Sequence, residues 1–464
     1  MQFYRKDYRS VLDLLEEGTN RSDPYAVRRA CAEFKRLVLH HSTMRHTIVE
    51  EGRLLPALME IVSNHVRDEE GAVVVDYCRF VQRLISHKQP TELDIQSRIT
   101  ESGALDVMAK GLTMHPQSQR LYIEVCKLVS LLCFDAASVP HAENQAAIAD
   151  AGLLAAICER ADNAKISVEE AVAGCTAISA LVYENDTNGI SVIHTYRILS
   201  VFSTLLGAFP RSLHIVQCIF QTLFQLLTME LGLSNDVVDV GMLPQLVELL
   251  DSSVLMHDYH GAESFMTHWH IVKFLELCIR ENGTTPFNSS TPARRLSSWI
   301  VIVDTAKKVF CSCAGPAVVV NTMIRRRQEP RHADSVDPWA LEYISCMLLC
   351  RVITTTGNAL VVDEARAKQL VQSSAHQLAL DILRSVGVAQ IEGKSEAHCR
   401  NFWAGVEQAV KLLELIATVE SNRAPLTRLG ASRQVKLIYN NPQVATQPDL
   451  LQLCVHAVAN IEGT

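Results

Sequence analysis

Apolar residues recur three and four places apart over most of this chain, the period of helices that bury one face. Several such stretches close on short apolar runs, "FKRLV", "VQRLI", "LVSLL", "AISALV", "LFQLL" and "LLELI", and a marker position follows each, a glycine in all but one. Four places before the glycine stands an aliphatic residue: Ile48 with Gly52, Ile99 with Gly103, Ile148 with Gly152, Val237 with Gly241 and Leu426 with Gly430. A degenerate copy pairs Val192 with Tyr196. Gly52, Gly103, Gly152, Tyr196 and Gly241 fall 51, 49, 44 and 45 residues apart, the spacing of helical solenoid repeats.

Two places after the marker an aliphatic residue returns as Leu54, Leu105, Leu154, Ile198 and Leu243, and only the Gly430 copy breaks this, with Ser432. Eight places before the marker stand Asn144, Asn188 and Asn422, and a further copy with Asn358 and Val362 puts Arg366 in the glycine slot. "FLELCI", from Phe274, opens a copy whose marker is lost in the polar insert "NGTTPFNSSTPA". The predicted unit is a short helix, a tight turn at the glycine, a longer helix and a final helix, repeated about eight or nine times. Ordering 45 residues costs about 70 kcal/mol, at roughly 1.5 kcal/mol per residue, more than one helix triplet recovers by burial, so neighbours must complete each core. The glycine then serves a positive φ or a close helix crossing. "ADAGLL" is no phosphate loop.

This register of asparagine, aliphatic residue, glycine and Leu-rich helix resembles the armadillo repeat. The resemblance implies an all-α, right-handed armadillo-like superhelix. On it, residues 1–47 form N-terminal capping helices, 48–283 the more regular repeats, 284–357 a degenerate repeat with polar loops, and 358–464 the C-terminal repeats and cap, all one domain.

The resemblance also implies that the final helices line a concave groove in which a peptide lies. In nuclear-transport adaptors of this family the final helix carries a Trp and, four residues on, an Asn. The corresponding pairs here are Arg79 with Arg83, Cys126 with Ser130, Thr176 with Ala180, Gln221 with Gln225, and Val272 with Glu276. That ladder is absent, which speaks against a classical nuclear-signal receptor. Residues four apart share a helix face, so Gln217, Gln221 and Gln225 form an amide ridge suited to gripping an extended backbone. Arg28, Arg36, Arg79 and Arg83 would make the N-terminal groove basic, with Asp76 as partial counter-charge, and an acidic peptide segment is the expected partner. Glu276 and Glu414 extend the predicted groove from basic to acidic.

Composition narrows the classes without naming a partner. Hydrophobic residues make up 48% of the 464 residues and aromatics only 6%, as in helices built on Leu, Ala, Val and Ile. A net charge of −8 gives no drive toward nucleic acid or anionic lipid at the level of the whole chain. "MQFYRKDYRSVLDLLEEG" lacks the apolar core of a signal peptide. The fourteen cysteines are therefore expected as reduced core thiols in a cytoplasmic setting with nuclear access. The longest uncharged run, Ser212 to Met229, is broken by His214, Gln217, Gln221 and Gln225, so no membrane span is expected.

No nucleophile elbow, Walker loop, dinucleotide fingerprint or zinc-protease motif occurs. Cys311 with Cys313, Cys346 with Cys350, and His268 with His270 have no matching second pair, so no metal or cofactor is expected. "NGTTPFNSSTPARRLSSW" reads as a surface loop in which Arg294 to Ser297 matches a basophilic kinase site, with Ser297 the acceptor. "RRRQEPRH", Arg325 to His332, reads as a second, basic loop. The function expected is a non-enzymatic scaffold or adaptor that holds an extended peptide or partner helix. The alternative is a clamp-like regulator, such as a nucleotide-exchange factor for a GTPase or chaperone.

Overall fold

The structure, a computed structural model, describes residues 11, 13, 23–40, 54–85, 95–135, 137–163, 165–229, 233–251, 262–279, 293–328, 337–355, 361–386 and 394–464. The chain divides into two compact units, Met1–Met229 and Glu230–Thr464.

In the first unit the described helices are α1 (Pro24–His40), then the pair α2 (Leu54–Asn64) and α3 (Ala72–Ile85), then three triplets. These are α4 (Ile95–Glu101), α5 (Ala104–Met114) and α6 (Gln119–Leu132); α7 (Ala142–Asp150), α8 (Leu153–Ala161) and α9 (Val168–Val182); and α10 (Asp186–His194), α11 (Ile198–Ala208) and α12 (Leu213–Met229). Among the described residues the second unit holds four triplets. They are α13 (Leu233–Asp239), α14 (Met242–Asp251) and α15 (Ala262–Ile279); α16 (Ala293–Ser312), α17 (Gly315–Gln328) and α18 (Pro338–Ile353); α19 (Glu364–Gln372), α20 (Ala375–Ser385) and α21 (Glu396–Ala417); and α22 (Glu420–Arg428), α23 (Ala431–Tyr439) and α24 (Pro448–Glu462). The described residues include two isolated β-bridges but no strand, and no single helix among them is long and apolar enough to cross a membrane.

Final helices stack on final helices. In the first unit α1, α3, α6, α9 and α12 pack in that order, and in the second α15, α18, α21 and α24 do. The middle helices stack beside them as α2, α5 and α8, and as α14, α17, α20 and α23. Helix α6 shows why. Leu121, Val125, Leu128 and Leu132 recur at helical spacing and are fully buried, and the Ser118 side chain caps the first turn by accepting from the Leu121 N–H. Helix α9 begins with a reciprocal capping box between Ser167 and Glu170.

The marker glycine turns the chain between the first and middle helices. Gly152 has φ +79° and Gly103 φ +88°, a left-handed conformation that costs an L side chain about 1–2 kcal/mol, and Gly241 and Gly430 take it too. Gly52 lies outside the described residues. Two of the predicted markers need correction. In the α10–α11 turn the left-handed residue is Arg197, φ +50°, one place after Tyr196, because the Tyr196 N–H bonds back five residues to the Ser191 carbonyl and the turn takes one residue more. In the α19–α20 turn it is Ser374, φ +63°, so Arg366 stands in the asparagine slot and not in the glycine slot; Asn358 lies outside the described residues. Ala314, φ +58°, is the marker that sequence inspection missed.

The asparagine slot, eight places before the marker or nine in the longer α10–α11 turn, has a definite task. Asn144, Asn188 and Asn422 are buried, and their Nδ2 groups donate to the carbonyls of Leu132 (3.1 Å), Leu181 (2.9 Å) and Ile416 (3.2 Å), at the end of the preceding final helix. The last carbonyls of a helix lack the donors that continue the ladder, and these amides supply one; the Ile416 carbonyl also accepts from the Val419 N–H. Arg366 does the same from Nη1 to the Val352 carbonyl at 3.5 Å. One place further on, Gln96, Gln145 and Lys307 reach forward to the end of the next final helix, donating to Phe134, Ala180 and Thr354 carbonyls. Buried polar side chains thus fix the order of stacking.

The polar stretches also differ from expectation. Residues 293–299 belong to α16 and Arg325–Gln328 to α17, so the described parts of both basic stretches are helical. Residues 280–292 and 329–336 are outside the described set.

Candidate functional site

A cleft of about 1450 Å³ runs along the final-helix face of the first unit, crossing α3, α6 and α9. Helix α3 contributes Arg79 and Gln82. Helix α6 contributes Arg120, Ile123, Lys127, Ser130 and Leu131, and α9 contributes Val168, Glu169, Val172, Ala173 and Thr176. The turn from Met114 to Gln119 closes one end.

That turn is held from both sides. His115 Nε2 is 2.7 Å from the Val66 carbonyl, Ser118 Oγ donates to the Glu70 carbonyl at 3.0 Å, and Arg160 Nη1 donates to the Pro116 carbonyl at 2.8 Å. Arg160 is anchored in turn by the buried Glu170.

Neighbouring final helices are bridged along the cleft. Arg79 Nη2 lies 3.1 Å from Glu124 Oε1, Gln82 Nε2 donates to Glu124 Oε2 at 3.0 Å, and Lys127 Nζ is 3.6 Å from the same carboxylate. Burial pushes the Glu124 carboxyl up, but the bonds from Gln82 and Arg79 and the Lys127 charge outweigh it and hold it below its ordinary value. Gln119 Nε2 donates to Glu169 Oε2 at 3.1 Å, and Thr176 Oγ1 is 3.4 Å from Cys218 Sγ on α12.

Two solved structures match over nearly the whole chain. An engineered protein superposes with a TM-score of 0.57 at 13% identity, covering 97% of this chain and 98% of its own. A structure from work on a phosphorylation switch that controls the interaction between cadherin and β-catenin superposes with a TM-score of 0.60 at 14% identity, covering 95% of this chain and 73% of its own. The fold is a helical repeat. No protein-family model and no curated protein matches the chain.

Within this helical-repeat frame the predicted groove residues separate. Arg79 lines the cleft; Arg83 is half-buried and does not. Arg28 Nε lies 2.8 Å from Asp76 Oδ2, bridging α1 to α3, and that bond raises the Arg28 pKa. Arg36 pairs with Glu33 on its own helix at 2.7 Å. Arg28, Arg36 and Arg79 each meet a carboxylate, the Arg28 partner being the expected Asp76, and of the four predicted arginines Arg79 alone lines the cleft. Gln221 is exposed on α12 and Gln217 and Gln225 are half-buried there, outside the cleft.

Glu276 is not a groove residue. It is fully buried in the second unit, 2.8 Å from Arg351 Nε and 3.0 Å from Lys273 Nζ. Glu414 is half-buried, 3.9 Å from His456 Nδ1, and burial raises its pKa. Glu276, being fully buried, cannot supply the acidic end of the predicted groove. Ser297 falls in the first turns of α16, and its side chain lies outside the described set.

The slip has a simple cause. Cys126 and Val272, the predicted counterparts of Arg79, are both buried; Lys127 and Lys273, one residue on, carry the outward face, and one residue turns a helix by about 100°. The signal that finds the cleft is the stripe Arg120, Ile123, Lys127 and Ser130 on the otherwise apolar α6.

Among the described residues no group of three or more His, Cys, Asp or Glu could hold a metal, and none of the fourteen cysteines forms a disulfide. Cys346 and Cys350 are buried, and the buried His268 meets Arg326 Nη2 at 3.0 Å. Burial pushes the Cys31 thiol up to about 12, and the other buried thiols also rise, which keeps them in the unreactive protonated form.

Proposed function

We propose that the protein is a non-enzymatic scaffold of armadillo type that binds a partner protein by laying an extended segment of it along the cleft of α3, α6 and α9. The observation that carries this reading is the cleft itself: about 1450 Å³, floored by one final helix and walled by its neighbours. Helix α6 has 14 residues and is about 20 Å long at 1.5 Å per residue, so a segment laid along it, between α3 and α9, spans six or seven extended residues. The pinned end turn supports a pre-formed site, which lowers the ordering cost of binding. The structure from work on the cadherin and β-catenin interaction shares the fold, and a protein-binding role agrees with it.

Affinity capture with the wild-type chain and with Ile123→Asp plus Val172→Asp tests the reading. Both residues line the cleft and are half-buried, so the double variant should stay folded and lose the proteins that the wild type retains. Equal recovery by both would contradict it.

A further inference from the structure

The lining of this cleft changes character from one side to the other. Toward α3 the ionic groups crowd a single carboxylate. Glu124 is only 8% exposed, whereas Arg79 and Lys127, which share it, are 33% and 54% exposed. Arg120, one turn before Glu124 on the same helix face, is exposed as well. Two cations therefore share one buried anion, Arg120 adds a third positive charge on the same face, and what faces the cleft on this side is positive. Toward α9 the lining is Val168, Val172 and Ala173, joined by Met114 from the end turn; Val168 and Met114 are 45% and 43% exposed. Ile123 lies between the two regions on α6. Of the other acids on the lining, Glu169 accepts from Gln119, and Glu70 sits in the turn before α3.

We infer that the cleft takes an extended peptide segment in which acidic and apolar side chains alternate, the acidic edge facing Arg79, Arg120 and Lys127 and the apolar edge facing Val168, Val172 and Met114. This rests on the cleft reading above and gives it a partner chemistry. The alternation follows from backbone geometry, because successive side chains of an extended chain point to opposite sides. A helical occupant would show acidic and apolar residues at a spacing of three and four instead. The charge supplies register and encounter rate as much as affinity.

The test is selection of a displayed library of random 12-residue peptides on the full-length wild-type chain and on two variants. One is the charge reversal Arg120→Glu with Lys127→Glu; the other is the neutral Arg120→Gln with Lys127→Gln, which matches the first in size without its charge and guards against misfolding of the first. The expected result is enrichment on the wild type of Asp or Glu at every second position, with Leu, Ile, Val or Phe at the positions between. On the neutral variant the acid preference should be lost while the apolar preference stays, and on the reversed variant Lys or Arg should replace the acids. A tenfold or greater fall in affinity of the best wild-type peptide is expected with the reversed variant. Peptides enriched without acids, with the same acids on all three chains, or with acids and apolar residues at a spacing of three and four would overturn the inference and leave the cleft reading standing. No peptide enriched on any chain would overturn both.

Discussion

Arg79 on α3 and Glu124 on α6 meet at 3.1 Å, across the boundary between two neighbouring final helices. Because Gln82 and Lys127 also serve Glu124, the carboxylate is the hub and Arg79 one spoke. Glu124→Gln should therefore destabilise the chain by about 1–2 kcal/mol, leaving partly buried cations short of an acceptor, while Arg79→Ala should cost less. Urea unfolding of the two variants measures this. A larger loss for Arg79→Ala would contradict the hub arrangement.

The left-handed turns give a paired prediction. A Cβ at Gly152 meets nothing within 4 Å, so Gly152→Ala isolates the conformational cost, about 1–2 kcal/mol. Ser374→Gly and Ala314→Gly should stabilise by about 0.5–1 kcal/mol, strain relief being offset in part by the entropy of glycine. Thermal unfolding should show the midpoint falling for the first and rising for the other two.

Arg366 in the asparagine slot caps the Val352 carbonyl and pairs with Asp304 at 2.6 Å. Arg366→Ala removes both contacts and should cost about 1–3 kcal/mol. Arg366→Asn restores the arrangement of Asn144, Asn188 and Asn422 and should cost less. Equal losses in denaturant melts would mean that the slot does not act through that carbonyl.

Acid should weaken the first unit through identifiable groups. Both Glu124 and Glu170 feel burial as a rise, outweighed in the folded chain by hydrogen bonds and cations, so their folded values lie below the ordinary 4.5. Such groups contribute stability that is fully present above 4.5 and is lost as pH falls through the lower folded value. Glu414 has the opposite sign: burial raises it, so its contribution is present below 4.5 and lost as pH rises through the folded value. Melting curves against pH should show Glu124→Gln flattening the acid limb below about pH 4.5. Glu414→Gln should raise the midpoint at neutral pH.

Much of the fold was legible in the sequence because it is written at the backbone level. Gly103, Gly152, Gly241 and Gly430 are glycine because of φ, and Ile99, Ile148, Val237 and Leu426 before them are buried because the short helix has one inner face. Where the marker is Arg197, Ala314 or Ser374 the conformation is the same, but the residue does not announce it, so the register slipped there. The site was less legible. Whether Cys126 or Lys127 faces the cleft turns on a single residue, and whether an arginine is available depends on partners 45 to 48 residues away, as with Arg79 and Glu124 or Arg28 and Asp76. Sequence periodicity assigns a face but not the partner across it. Glu276 shows the limit, since its fully buried pairing with Arg351 on α18 leaves no trace in the pattern of its own helix.

The central claim is that the cleft over α6 is where a partner lies, and lysine acylation read by mass spectrometry tests it directly. Lys127 is 54% exposed within the cleft, while Lys308 and Lys368, 70% and 47% exposed in the second unit, serve as internal references. With a captured partner or selected peptide bound, Lys127 acylation should slow several-fold while Lys308 and Lys368 react as before. Lys127 reacting as fast in the bound protein as in the free one would contradict the account.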